Sequence, residues 1–115
     1  MSDNVLNLND YQKWTNTTAI YPDAGTGNIH ELMYCSLGLT SEAGEMANYT
    51  KKLYRDGDTP ELRESIAAEL GDIIWYAARM AESLGVALED VVAKNQSKLN
   101  SRKERNVLTG SGDNR

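Results

Sequence analysis

Apolar positions recur three and four residues apart along most of the chain, and few segments alternate in the way a strand requires. Leu62, Ile66, Leu70, Ile73, Ala77, Met80 and Leu84 form the longest such run and predict a helix with that face buried. The stretch "DTPE" starts it. Asp58 or Thr59 can cap the helix, Pro60 suits the first turn, and Glu61 favours the positive end of the dipole. Gly85 ends it as a left-handed cap. A long helix is predicted before it, over residues 29–54, and "RDGD" (55–58) turns the chain between the two. A short first helix over residues 9–19 places Tyr11, Trp14 and Thr18 on one face, and "YPDAGTGN" (21–28) follows as a loop. A fourth helix over residues 88–103 carries Val91, Val92 and Leu99. The pattern predicts an all-α fold, a four- to five-helix bundle built around a long antiparallel hairpin. Residues 1–105 form its one domain, and the Gly- and Ser-rich residues 106–115 form a flexible tail.

Composition narrows the setting. At 115 residues the chain can hold one core but not two. One cysteine, Cys35, excludes an intramolecular disulfide and points to a reducing compartment. The N-terminus has neither the basic start nor the apolar run of a signal peptide, and no stretch approaches the ~20 apolar residues of a membrane span. A soluble cytoplasmic protein with no membrane partner is expected. The net charge of −5 weighs against binding nucleic acid, which needs phosphates neutralised by Lys and Arg. It leaves room for a small phosphorylated substrate if a cation bridges acid and phosphate.

The acids themselves follow a pattern. "SEAGEMANYTKK" places Glu42 and Glu45 three apart with Gly44 between them, and "AELGDIIWYAAR" repeats this as Glu69, Gly71 and Asp72. Each stretch then has a Tyr (Tyr49, Tyr76) and a base (Lys52, Arg79) at matching offsets. At about 100° per residue these positions share one helical stripe. The two pairs of acids lie nearly equidistant from the "RDGD" turn, so an antiparallel hairpin brings four carboxylates to one height.

Two unit charges about 5 Å apart at an effective dielectric of about 20 repel by roughly 3 kcal/mol. Protonation, pairing with Lys52 and Arg79, or a divalent cation must offset this. All-oxygen ligands suit hard ions, Mg²⁺ or Mn²⁺. A single Glu pair on a helix is ordinarily a solvated face; two matched pairs about one turn favour a metal site. Gly44 and Gly71 each cost about 1 kcal/mol in a helix interior. Either close backbone approach or plain packing accounts for them. A di-iron bundle would use Glu-x-x-His pairs, and the lone His30 reads as a surface or capping residue.

At these residues the chain resembles the MazG-type nucleoside triphosphate pyrophosphohydrolases of the all-α NTP pyrophosphatase superfamily. The likeness rests on Glu-x-x-Glu and Glu-x-x-Asp on a helical hairpin, with "KLNSR" closing the domain, over roughly residues 29–105. It implies Mg²⁺-dependent hydrolysis of a nucleotide between the α and β phosphates, giving the monophosphate and pyrophosphate. It implies Glu42, Glu45, Glu69 and Asp72 as metal ligands, and Tyr76 as a nucleotide contact. Many family motifs begin with two adjacent acids, whereas Ser41 stands first here. The general base is therefore Glu45 or Glu42.

Lys52 and Arg79 can pair with acids or reach phosphates. Lys94, Lys98 and Arg102 form one ridge on helix four. This is either a solvated basic face or a phosphate grip by Lys98 and Arg102, with Asn95 reading the base edge. Trp14 and Tyr11 are candidates to stack on the base or to pack in the core, and Trp75 is assigned to core or subunit contact. So small a hairpin cannot both enclose a nucleotide and bury every apolar face, so a homodimer or homotetramer is expected. Phosphoribosyl-ATP pyrophosphohydrolase activity, a nucleotide-sensing or partner-binding module without turnover, and a purely structural helical protein are the alternatives.

Overall fold

In a computed structural model that describes residues 7–115, the chain forms four helices: α1 (Leu8–Thr15), α2 (Ile29–Asp56), α3 (Pro60–Leu84) and α4 (Leu88–Glu104). Helices α2 and α3 pair along their length as the antiparallel hairpin. Among the described residues no strand occurs. No helix there is long and apolar enough to cross a membrane. Part of the N-terminal stretch read above for a signal sequence lies outside the described residues.

The ends of the helices follow from local chemistry. Asn28 caps α2 by accepting the Glu31 amide at 3.0 Å. Thr59 caps α3 through its hydroxyl, which accepts from the Leu62 amide at 3.1 Å; Asp58 instead pairs with Arg63. Gly85 closes α3 at φ 72°, ψ 28°, the left-handed conformation that glycine adopts without a Cβ penalty. Helix α1 stops at Thr15, short of the expected residue 19. The hydroxyls of Thr15, Thr17 and Thr18 each bond to a carbonyl three residues back and draw the chain into turns.

Helix α4 has no cap of its own, since Ala87 stands at the cap position. The buried Gln12 of α1 supplies it. Its Oε1 accepts from the Leu88 amide at 2.6 Å, while its Nε2 donates to the Val86 carbonyl and to Glu82. Leu88 then packs with Ala78 and Ala81 of α3, against Leu8 and Tyr11.

Helix α3 buries its predicted stripe only in part: Leu62, Ile66, Ile73, Ala77 and Met80 are half-buried. Its fully buried residues are Ala78, Arg79 and Ala81, whereas Leu70 and Leu84 remain 49% and 57% exposed. Helix α2 covers one side of α3, and α1 and α4 cover the side of its two buried alanines. Residues 106–115 fold back at the end of α4. The Arg115 guanidinium donates to the carbonyls of Val107, Leu108 and Gly112, and Asp113 pairs with Lys98 at 3.0 Å.

Candidate active site

Glu42 from α2 meets Glu69 and Asp72 from α3, one carboxylate oxygen of each lying within 4.8 Å of the other two. Glu42 and Glu69 are half-buried and Asp72 is exposed. Glu45, one turn beyond Glu42, is exposed and lies outside this three-way group.

These three carboxylates could hold a cation. The Oε2 atoms of Glu42 and Glu69 are both buried and have no hydrogen-bond partner among the described residues. Two ionised carboxylates can only accept, so each leaves an oxygen without a donor. The facing Glu69 carboxylate is the first cause that holds the Glu42 carboxyl up at about 7, followed by burial and by the charges of Glu45, Glu69 and Asp72. A hard divalent cation at the same place would meet the orphaned oxygens and remove the repulsion.

Aromatic side chains of α1, α2, α3 and the loop before α2 pack against one another. Tyr76, one turn past Asp72, lies edge-on to Trp75 at 5.0 Å between centroids. Burial, then the neighbouring Tyr34 and Glu42, raise its hydroxyl above the ordinary tyrosine range. Trp75 donates to the Thr18 hydroxyl at 2.9 Å and meets Tyr21 edge-on, and Tyr21 stacks on Tyr34 at 4.8 Å. Trp14 is 42% exposed and tilted against Tyr11. The hydroxyl of Tyr11 is raised above the ordinary tyrosine range by burial and then by the charge of Asp72.

The bases separate into three environments. Lys52 lies over the Tyr49 ring, 5.5 Å from its centroid. Arg79 points away from the acid group and is buried at 1% exposure. It donates to Tyr21, Thr15 and Asn16 and pairs with Glu31 at 3.5 Å. Lys98 and Arg102 face the tail, where Arg102 donates to the Asp113 carbonyl at 2.7 Å. Asn95 is exposed beside them. Helix α4 contacts α1 and α3 but not α2, so no contact between helices joins this ridge to Glu42.

Glu31 is the functional-looking residue that the sequence did not reveal. Its carboxylate accepts from Tyr21 Oη (2.7 Å) and from the amides of Gly25 (2.8 Å) and Gly27 (2.9 Å). Burial pushes its carboxyl up, but the Gly25 amide, Tyr21, the Gly27 amide and Arg79 outweigh that and hold it below the usual range. The loop 21–28 is thereby fastened to the start of α2. The glycines beside the acids, Gly44 and Gly71, face open space; the close approach occurs instead at Gly38.

A helical hairpin that brings three carboxylates together, two half-buried and one exposed, gives an all-α fold with a candidate metal site. Residues 31–107 match the MazG nucleotide pyrophosphohydrolase domain, and the chain belongs to that family. The Gene 37 protein of Mycobacterium phage L5 is 48% identical over 114 residues, covering 96% of this chain and all of that protein. The YvdC protein of Bacillus subtilis (strain 168) is 38% identical over 74 residues, 57% of this chain and 70% of its own length. No solved structure matches the chain.

Proposed function

We propose that the protein hydrolyses the α–β phosphate bond of nucleoside or deoxynucleoside triphosphates, releasing the monophosphate and pyrophosphate, with Mg²⁺ as cofactor and Mn²⁺ as a substitute. The observation that carries this is the pair of buried, unpartnered carboxylate oxygens on Glu42 and Glu69 beside Asp72, in a chain of the MazG family. Glu42, Glu69 and Asp72 would hold the cation, with Glu45 joining them from the next turn. A bound divalent cation supplies a more acidic water and neutralises phosphate charge.

The remaining steps belong to side chains of the protein. The exposed carboxylate of Glu45 takes the proton from the attacking water, and Glu42 is its alternative. Lys52 meets the phosphates from the hairpin end. Lys98 and Arg102 bind the leaving pyrophosphate once phosphate oxygens replace the Asp113 carboxylate. Tyr76 and Trp14 hold the base by its faces while Asn95 bonds to its edge. In this reading the basic ridge of α4, which touches α1 and α3 but not α2, serves the acid group of a neighbouring copy in an assembly of two or four.

Product analysis tests this. The protein is incubated with each NTP and dNTP, with Mg²⁺ or with chelator, and the products are separated by chromatography. Monophosphate with pyrophosphate is expected, abolished by chelator and reduced at least ~100-fold in Glu69→Gln. Release of inorganic phosphate, or no turnover with any nucleotide, would sink the proposal.

A further inference from the structure

Three glycines lie inside the two long helices, and they are not equivalent. A Cβ added to Gly44 or Gly71 would meet nothing within 4 Å. A Cβ on Gly38 would overlap the Tyr76 ring, 2.8 Å from Cδ1 and closer still to Cε1 and Cζ. Real side chains do not approach so closely, so the space that any other residue would fill on α2 belongs here to an aromatic ring from α3. Glycine inside a helix is ordinarily less stable than alanine. At Gly38 the occupied Cβ position explains its presence.

The position matters because of what borders it. Gly38 lies one turn before Glu42, and Tyr76 lies one turn after Asp72. The ring is confined on one side by the bare α2 backbone and on another by the Trp75 edge. Its reach from the acidic group is therefore set by how closely it approaches α2.

We propose that Gly38 is a positioning residue for the nucleobase: by leaving its Cβ space to the Tyr76 ring, it fixes the surface on which the base of the substrate rests. The inference depends on the pyrophosphohydrolase reading above and adds the residue that sets its affinity for the base. Gly38 touches no substrate. A displaced ring weakens ground state and transition state alike, so the effect falls on KM and not on kcat.

The test is a cycle of Gly38→Ala, Tyr76→Val and the double variant. Steady-state kinetics use the triphosphate that the wild type turns over best. Tryptophan fluorescence follows binding of that nucleotide's α,β-imido analogue, and thermal melts accompany both. Gly38→Ala is expected to raise KM and the analogue Kd by roughly tenfold, with kcat within about threefold of wild type. With the ring removed in Tyr76→Val, adding Gly38→Ala is expected to change either constant by less than about twofold.

An unchanged KM in Gly38→Ala, or a rise that persists in the Tyr76→Val background, overturns the inference while leaving the pyrophosphohydrolase reading intact. A wild type without turnover overturns that reading and the inference with it. If Gly38→Ala alone fails to fold, Tyr76→Val must restore folding; a double variant that also fails to fold overturns the inference.

Discussion

Glu42 shows what one residue contributes when no countercation is present. Its carboxyl is held up at about 7, against an ordinary value of 4.5. A carboxyl whose pKa rises on folding stabilises the protein below its unfolded value, and that contribution is lost as pH climbs through the folded value. Metal-free protein is therefore expected to melt at least ~5 °C lower at pH 8 than at pH 5. Millimolar Mg²⁺ should remove most of that difference, and Glu42→Gln should flatten it without metal. Thermal melts with chelator or Mg²⁺ check this, and equal melting temperatures at both pH values in chelator would count against the site. The spacing in the sequence was enough to bring Glu42, Glu69 and Asp72 together, because periodicity and distance from the turn fix height and face. It could not show that Glu45 stays outside the three-way group, since a side chain's direction depends on the facing helix.

At the level of elements, the hairpin was legible because every signal agreed: apolar spacing, the Thr59 cap, Pro60 in the first turn and Gly85 beyond the end. The clamp between α3 and the loop before α2 was not. Arg79 shares the acid stripe by periodicity, yet its partner is Glu31, far away in sequence. An acid in a helix's first turn reads as a dipole complement, and nothing local marks it as buried. The pair is 1% exposed on both sides and satisfied by Tyr21, two glycine amides, Thr15 and Asn16. Removing one partner strands a buried charge, which typically costs about 3–5 kcal/mol. Glu31→Gln and Arg79→Met are each expected to lower the urea midpoint sharply. The double variant Glu31→Gln/Arg79→Met should recover part of the loss, because it strands no charge. Single variants with wild-type midpoints would show that the clamp contributes little.

For the whole molecule, the telling feature is how little apolar surface the four helices bury. Ile29, Met33 and Leu37 follow one another along α2 at 61%, 54% and 69% exposure. With Leu84 of α3, 57% exposed, Met33 and Leu37 line an apolar groove on the hairpin. A chain of this length cannot cover both faces of a long hairpin with two short helices. Such a face, like the separation of the basic ridge from α2, fits an assembly of two or four copies. Sedimentation at micromolar concentration is expected to give a dimer or tetramer, and Leu37→Glu to give a folded monomer of unchanged helix content. A monomeric wild type at tens of micromolar would argue against the assembly.

The cap that Gln12 provides for α4 also bears on the order in which the molecule is made. Gln12 leaves the ribosome 76 residues ahead of the Leu88 amide that it caps. Until Leu88 emerges, the α1 side chain has no amide to receive. Until α1 lies against α3, the first turn of α4 lacks the side-chain cap that Gln12 gives it. Contacts between such distant residues carry a loop-closure cost that local ones do not. The hairpin brings together residues closer in sequence, Glu42 and Glu69 among them, its two helices being joined by a short turn. Docking of α1 and capping of α4 are thus coupled through Gln12, so that the last helix depends on the first.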